Sequence, residues 1–163
     1  MNSNNKTINI HINAFGNENI DYITRDVAAN KMLKQFGGLI ELITMTHFDP
    51  NHPENHNVYI SNKKLPHATI MEKDGTCKLK DKSKVIEQMT RDTYNQFKKK
   101  IQDTLNLSSS FLKVLSDFEE KFEETKLDDP KYHVYQEVAL ALYNNRDMIR
   151  SSIKNSMSDK APK

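Results

Sequence analysis

The segment from His47 to Asn62 constrains the fold of this chain more than any other stretch. It contains three histidines, four asparagines, two carboxylates and two prolines within sixteen residues. Pro50 and Pro53 exclude a regular helix or a central strand here, so the segment is predicted to be irregular. Its polar groups must either fix the segment's own backbone through hydrogen bonds or bind a ligand.

Composition limits the size of the core that can surround this segment. The chain has 163 residues, of which 36% are hydrophobic and 28% are charged, and its mean hydropathy is −0.77. These values favour one domain, or a compact head with a helical extension, over a large enzyme core. Cys77 is the single cysteine, which excludes an internal disulfide or a cysteine-based zinc site and indicates a reducing, intracellular environment. No signal peptide is recognisable, and no apolar run reaches the ~20 residues that span a bilayer, so no membrane association is expected.

Strand and short-helix signals dominate the first eighty residues. Apolar residues alternate with polar ones along the predicted N-terminal strand at Ile8, Ile10, Ile12 and Ala14. Thr24 is a predicted cap of a helix that Gly37-Gly38 would end, and a second helix is predicted over Leu39–Thr46. Beyond the His/Asn segment, strands are predicted over Val58–Ser61, His67–Glu72 and Thr76–Lys80. The turn Lys73-Asp74-Gly75 joins the last two into a hairpin.

From Lys82 the apolar residues follow a helical period. A first stripe consists of Ile86, Met89, Thr93, Phe97, Ile101 and Leu105. A second helix carries Phe111, Leu115, Phe118 and Phe122, which could form a coiled-coil seam between copies or an intramolecular helix pair. A last helix would have Pro130 in its first turn and Val134, Val138, Leu142 and Ile149 facing inward. The amides and guanidinium of Asn144-Asn145-Arg146 suggest a bonded cap or a polar interface.

These patterns predict an α+β fold. A small antiparallel sheet, made of the N-terminal strand and the β-hairpin, would pack with short helices and be followed by a C-terminal helical bundle. Residues 1–80 would form the α+β head, and residues 81–155 a helical region that packs on the head or forms an oligomer seam. Residues 156–163 are predicted to be a disordered tail.

The His/Asn segment supplies the candidate site residues. They are His47, Asp49, His52, Glu54, Asn55, His56 and Asn57. The interpretation we favour is a structural loop without metal or cofactor, in which Asp49, Asn51, Asn55 and Asn57 bond the loop's own amides and the histidines are packed or exposed. One alternative is a metal site formed by His47, His52 and His56 with Asp49 and Glu54, since imidazoles and carboxylates are competent metal ligands. Another is a metal-dependent nuclease that uses His47, His52, Asn55 and His56, since imidazoles hold cations and activate water.

Basic residues provide a second candidate surface. Residues 61–100 hold 11 Lys and Arg against 5 Asp and Glu, a local charge of +6, whereas residues 101–130 hold 3 against 8, a local charge of −5. The lysines predicted to contact nucleic-acid phosphates are Lys63, Lys64, Lys78, Lys80, Lys82 and Lys84. Such contacts carry no base specificity. An edge strand protected from aggregation by lysines would show the same pattern.

Several motifs of the chain form a recognisable combination. They are Phe15-Gly16, Asp21-Tyr22-Ile23-Thr24, His47-Phe48, the run from His52 to Asn62, and Leu142-Tyr143-Asn144-Asn145-Arg146. These are similar to a domain of nucleocytoplasmic large DNA virus proteins that often follows N-terminal C2H2-type zinc fingers. The similarity spans residues 7–150. That family often has an aromatic residue after the hairpin glycine, where this chain has Cys77, and these residues include no zinc finger.

The resemblance implies a viral protein that works beside nucleic-acid-binding parts. The predicted function is therefore a non-catalytic assembly or adaptor module that self-associates and acts beside nucleic acid. Expected partners are a second copy of the chain, nucleic acid bound through the basic hairpin, and another viral protein. The expected location is the infected cell's cytoplasm, virus factory or nucleus, or the virion. The alternatives are the nuclease and a virion structural protein.

Overall fold

The structure, a computed structural model, describes residues 10–103 and 107–158. Its elements confirm the predicted α+β class. The helices are α1 (Arg25–Met32), α2 (Phe36–His47), α3 (Lys82–Gln102), α4 (Ser109–Glu124), α5 (His133–Asn144) and α6 (Arg146–Ser158), with a short 3-10 turn over Pro53–Asn55. The strands are β1 (Val58–Tyr59), β2 (His67–Met71) and β3 (Cys77–Asp81).

The three strands form an antiparallel sheet in the order β1-β2-β3. The predicted hairpin is confirmed, with His67 opposite Asp81 and Met71 opposite Cys77. Its turn follows the predicted chemistry, because Gly75 has a φ of +83° that few other residues tolerate. The Asp74 carboxylate accepts hydrogen bonds from the backbone amide and the hydroxyl of Thr76. Leu79 and both lysines of β3 are exposed at the edge of the sheet.

The described part of the predicted N-terminal strand, residues 10–14, does not form a strand. Residues 10–14 are not part of the sheet, whose third strand is β1. The Asn13 amide donates to the Glu54 carbonyl at 2.7 Å, and the Phe15 amide donates to the Met71 carbonyl at 2.8 Å. The alternating pattern instead reflects the burial of Ile12, which is 5% exposed, beneath this isolated stretch. Residues 7–9 of the predicted strand lie outside the described residues.

Gly37-Gly38 does not end a helix but lies in the first turn of α2. The Thr24 hydroxyl caps α1 as predicted, accepting from the Val27 amide at 3.2 Å. The chain then reverses at Gln35, which has a φ of +56°. A Cβ at Gly38 would lie 1.6 Å from the Lys31 carbonyl oxygen, so this glycine permits the close crossing of α1 and α2. The predicted second helix is present as part of α2.

One hydrophobic core joins the sheet and the helices. It includes the predicted α3 stripe from Ile86 to Ile101, whereas Leu105 lies outside the described residues. Phe118 and Phe122 of α4 are 0% and 1% exposed and contact Tyr94 of α3, with ring centroids 5.5 and 4.0 Å apart. The α4 residues proposed as a possible seam are therefore half of an intramolecular helix pair. None of the helices within the described residues is long and apolar enough to cross a membrane.

The predicted last helix is divided into α5 and α6 at Asn145. The Asn145 amide donates to the Ala141 carbonyl at 2.9 Å, and the Arg146 guanidinium donates to the Tyr143 carbonyl at 2.9 Å. These side chains cap the carbonyls that α5 leaves unpaired, which allows the chain to turn without glycine or proline. Pro130 precedes α5 instead of occupying its first turn. The four residues predicted to face inward are buried. The predicted disordered tail is wrong over residues 156–158, because α6 continues to Ser158, and residues 159–163 of that prediction lie outside the described residues.

Candidate functional site

The predicted His/Asn residues lie between the C-terminal end of α2 and the start of β1. We call the seven residues predicted from the sequence the polar cluster: His47, Asp49, His52, Glu54, Asn55, His56 and Asn57. His47 is the last residue of α2, and Asn57 immediately precedes β1. His47, Asn55, His56 and Asn57 are at most 2% exposed. Such burial requires that their polar atoms find partners inside the fold.

Asn55 binds the N-terminal segment to the cluster. Its side-chain oxygen accepts hydrogen bonds from the Asn19 backbone amide at 2.9 Å and from the Asn13 side chain at 3.2 Å. Its side-chain nitrogen donates to the Asn19 carbonyl at 2.7 Å. A buried primary amide with both its oxygen and its nitrogen engaged is a structural link between segments distant in sequence.

Asn57 makes a second link to the same segment. Its side-chain nitrogen donates to the Glu18 carboxylate at 2.6 Å and to the Asn13 carbonyl at 3.2 Å. Its side-chain oxygen lies 3.1 Å from Nδ1 of His47. Because an amide oxygen only accepts, this arrangement requires that His47 carry a proton on Nδ1. The Asn57 amide thus connects α2, the N-terminal segment and the sheet.

His56 is held between the loop and α6. Its Nε2 donates to the Asp49 carbonyl at 2.8 Å, and its Nδ1 lies 2.7 Å from the Ser152 hydroxyl. Burial lowers the pKa of His56, although the hydrogen bond to the Asp49 carbonyl and the nearby carboxylates of Glu54 and Asp49 oppose this shift. A neutral ring fits the geometry, because Nδ1 can then accept a hydrogen bond from the Ser152 hydroxyl.

His52 occupies a different, partly exposed position. Its ring stacks on Tyr22 with centroids 3.4 Å apart and planes 6° from parallel, and its Nδ1 lies 3.1 Å from the Glu54 carboxylate. Burial alone would raise the pKa of Glu54, but hydrogen bonds from its own amide, His52 and Asn19 together hold that pKa below its ordinary value. Burial raises the pKa of Tyr22 to about 12, so its hydroxyl remains a donor to the Met45 carbonyl at 2.6 Å.

The three imidazoles are therefore directed at separate partners. His47 faces Asn57, His52 faces Glu54, and His56 faces Ser152. Among residues 10–103 and 107–158, no group of three or more His, Cys, Asp or Glu side chains is arranged to hold a metal ion. The hydrogen bonds of the polar cluster instead connect the N-terminal segment, α2, β1 and α6.

The partners of the polar cluster differ from those predicted. Asp49 bonds the loop itself, since its carboxylate accepts the Asn51 amide at 2.9 Å. The side chains of Asn55 and Asn57 do not bond the loop's own amides but reach the segment from Asn13 to Tyr22. Sequence reasoning missed Asn13, Glu18, Asn19 and Ser152 as members of the network. The consecutive polar residues Asn17, Glu18 and Asn19, close to Asn13 in sequence, were the available signal.

The six predicted lysines lie along one margin of the molecule, at different distances from acidic groups. We call them the basic edge: Lys63, Lys64, Lys78, Lys80, Lys82 and Lys84. Lys78 and Lys80 belong to β3, whereas Lys82 begins α3, so the predicted strand periodicity ends before it. Lys80 is partly neutralised by Glu72, 3.4 Å away. Lys63 and Lys82 also border a cleft of about 260 Å³ with Tyr135 of α5.

Sequence reasoning also missed basic residues on α6. Arg146, Arg150 and Lys154 recur every four residues, a spacing that places them on one helix face. This periodicity was visible in the sequence, but their position beside β1 was not. Comparisons of this chain with protein families, with curated proteins and with solved structures found no match in any of the three.

Proposed function

We propose that this chain is a non-catalytic adaptor module of a large DNA virus, which self-associates and contacts nucleic-acid phosphates through its basic edge. The resemblance of its central motif to a domain that follows zinc fingers supports this assignment. The proposed locations are the infected cell's cytoplasm, virus factory or nucleus, or the virion. A further viral protein is the proposed partner that the adaptor connects to nucleic acid.

The observation that carries this proposal is the contact between Lys82 and Lys63. The Lys82 ammonium donates to the Lys63 carbonyl at 3.0 Å, and the Lys82 amide donates to the Pro66 carbonyl at 2.8 Å. These bonds place the turn that carries Lys63 and Lys64 beside the end of β3. Two basic segments that are separate in sequence therefore form one margin.

The chemistry of this margin fits a phosphate backbone. Lys64 and Lys78 are exposed, and the Lys80 side chain remains 51% exposed despite its contact with Glu72. Ammonium groups at an exposed margin can replace the counterions of nucleic acid, which makes binding salt-dependent and independent of base sequence. β3 is also the outer strand of the described sheet, so this margin is accessible to a long ligand.

The contacts of the polar cluster support an adaptor rather than a catalyst. The side chains of Asn55, His56 and Asn57 are buried and bonded to other parts of the fold. A catalytic group must reach a substrate atom within hydrogen-bond distance. Because these side chains already join segments of the fold, they stabilise the structure that carries the basic edge.

The test is the binding of a short fluorescein-labelled DNA duplex, followed by anisotropy at several salt concentrations. The variant Lys64→Glu/Lys78→Glu should weaken binding at least tenfold and reduce the slope of log affinity against log salt by about 1.8, for two lost phosphate contacts. The control is Lys113→Glu/Lys126→Glu, which changes the net charge equally at exposed positions of α4 and the following loop. The proposal fails if the wild type does not bind duplex DNA at low salt, or if the two double variants bind alike.

A further inference from the structure

The exposed face of α6 carries a row of cations outside the basic edge. Arg146, Arg150 and Lys154 recur every fourth residue, so they are spaced by about 6 Å along the helix axis. Ile149 and Ile153 are buried and lie about 90° around the helix axis from this row. Their burial fixes the orientation of α6 and leaves Arg150 and Lys154 exposed along the margin of its contact with the core.

Two tyrosine rings hold these guanidinium groups in place. The Arg146 Cζ lies 3.9 Å from the centroid of the Tyr143 ring, and the Arg150 Cζ lies 5.2 Å from that of Tyr59. The ammonium of Lys63, a residue of the basic edge, is 4.8 Å from the same Tyr143 ring, so the row begins next to the basic edge. Cation–π contacts orient the charges while leaving them able to bind an anion.

An acidic neighbour weakens this row only slightly. The Asp147 carboxylate lies 3.9 Å from the Arg150 guanidinium, and its side chain is 84% exposed. An ion pair at that distance and exposure is screened by solvent and adds little stabilisation. Phosphate oxygens can therefore compete with Asp147 for Arg150.

A largely apolar cleft lies directly beside the cations. It has a volume of about 500 Å³ between α6 and the sheet. Tyr59, Cys77, Ile153 and Met157 line it together with Arg150 and Lys154. Burial raises the pKa of the Cys77 thiol, so this side chain stays neutral. Met157 is 38% exposed at the mouth of the cleft.

We infer that this face of α6 and β1 binds single-stranded nucleic acid, with phosphates on the cationic row and bases in the adjoining cleft beside Tyr59. A positively charged track beside an aromatic side chain is the combination that single-strand-binding surfaces use. A duplex presents its phosphates but keeps its bases stacked and paired, so it cannot fill the cleft. This inference adopts the ligand class of the proposed function but assigns it a different surface.

The first experiment measures the binding of fluorescein-labelled oligothymidylate across a range of salt concentrations. Arg150→Glu/Lys154→Glu should weaken binding at least tenfold and reduce the salt slope by about 1.4, for two contacts with a single strand. The variant Lys113→Glu/Lys126→Glu, with the same change in net charge, should bind as the wild type does. Circular dichroism and thermal unfolding verify the fold, and Arg150→Gln/Lys154→Gln replaces the first variant if reversal prevents folding.

A second variant separates stacking from charge. Tyr59→Leu keeps an apolar side chain in the cleft but removes the aromatic ring, and should weaken oligothymidylate binding about tenfold. Its salt slope should equal that of the wild type, because no cation is lost. Circular dichroism and thermal unfolding must show that Tyr59→Leu is folded, because partial unfolding would also lower the apparent affinity.

The outcomes distinguish this inference from the proposed function. Lys64→Glu/Lys78→Glu should weaken duplex binding but change oligothymidylate binding less than threefold. If the α6 double variant and its control bind oligothymidylate alike, the inference is overturned, whereas loss of duplex binding in the basic-edge variant would still support the proposed function. The inference is also overturned if the α6 variant only dissociates an oligomer in light scattering, since a second copy then occupies this face.

Discussion

Single amide side chains determine how the irregular segment of this protein keeps one conformation. Asn55 is fully buried and joins residues 36 positions apart in sequence. Substitution of Asn55 leaves buried backbone groups without a hydrogen-bond partner. This lowers the free energy of unfolding more than the loss of one exposed hydrogen bond does.

We therefore predict that Asn55→Ala lowers the free energy of unfolding by about 3 kcal/mol. The loss arises because the Asn19 amide and carbonyl stay buried without their partner. Asn51→Ala is the matched control, since Asn51 is exposed, and should change stability by less than about 0.5 kcal/mol. Urea denaturation followed by circular dichroism measures both, and equal losses would contradict a structural role for Asn55.

His56 gives the fold a dependence on pH. Burial lowers the pKa of this imidazole in the folded protein, whereas the unfolded chain has an ordinary value of about 6.5. Between these two values the unfolded chain binds more protons, so the free energy of unfolding should decrease as pH falls below about 6.5. Above that pH His56 is neutral in both the folded and the unfolded chain, so its protonation no longer lowers the free energy of unfolding.

Substitution of His56 by glutamine tests this dependence. His56→Gln retains polar atoms for Asp49 and Ser152 but cannot titrate. It should be less stable than the wild type at neutral pH, and its stability should fall less between about pH 7 and pH 5.5. Urea denaturation at a series of pH values gives both slopes, and identical slopes would exclude His56 as the source.

The close approach of helices α1 and α2 requires that residue 38 have a hydrogen atom in place of a Cβ. A Cβ at Gly38 would lie 1.6 Å from the Lys31 carbonyl oxygen, whereas a Cβ at Gly37 would meet nothing within 4 Å. We predict that Gly38→Ala costs at least about 3 kcal/mol, because the two helices must separate. Gly37→Ala should raise stability by up to about 1 kcal/mol through helix propensity. Thermal unfolding of both variants checks this, and similar shifts would refute the close crossing.

The same pair of glycines shows which parts of the fold could be predicted from sequence. The hairpin and α3 follow from local signals, namely Asp74-Gly75 in the turn and the period from Ile86 to Ile101. The position of Gly38 depends on a contact between two helices, and the sequence alone suggested a helix end there. The bonded cap at Asn145 and Arg146 was one of the two expectations for that motif and is present. The start of a second helix directly after it was missed, because no glycine or proline marks the division and Ile149 continues the apolar spacing.

For the candidate site, too, the sequence predicted some features and not others. Composition identified the residues of the polar cluster, because seven closely spaced polar groups need partners wherever they are buried. Their actual partners, such as Asn19 for Asn55, lie far away in sequence and are brought close only by the fold. The alternation of apolar and polar residues around Ile12 led to the prediction of a strand, which is wrong for residues 10–14. An extended segment with one side buried shows the same alternation whether or not it pairs with a sheet.

At the scale of the whole molecule, charge is segregated although the net charge is only +2. The basic edge lies on the sheet and the start of α3, whereas Asp117, Glu120 and Glu124 are exposed on α4. Opposite charges on separate surfaces favour head-to-tail contact between copies, and salt weakens such contacts.

Light scattering should therefore give a mass above that of one chain, 18.9 kDa, at about 0.02 M salt and a mass close to it at about 0.5 M, where charges are screened within a few ångströms. Asp117→Lys/Glu120→Lys should remain monomeric at both concentrations because the acidic surface is lost. Asp21→Lys/Asp26→Lys changes the net charge equally at exposed positions and should associate as the wild type does. A mass independent of salt, or equal behaviour of the two variants, would show that α4 does not supply the contact. The proposed adaptor role would then depend on the basic surfaces alone for assembly on nucleic acid.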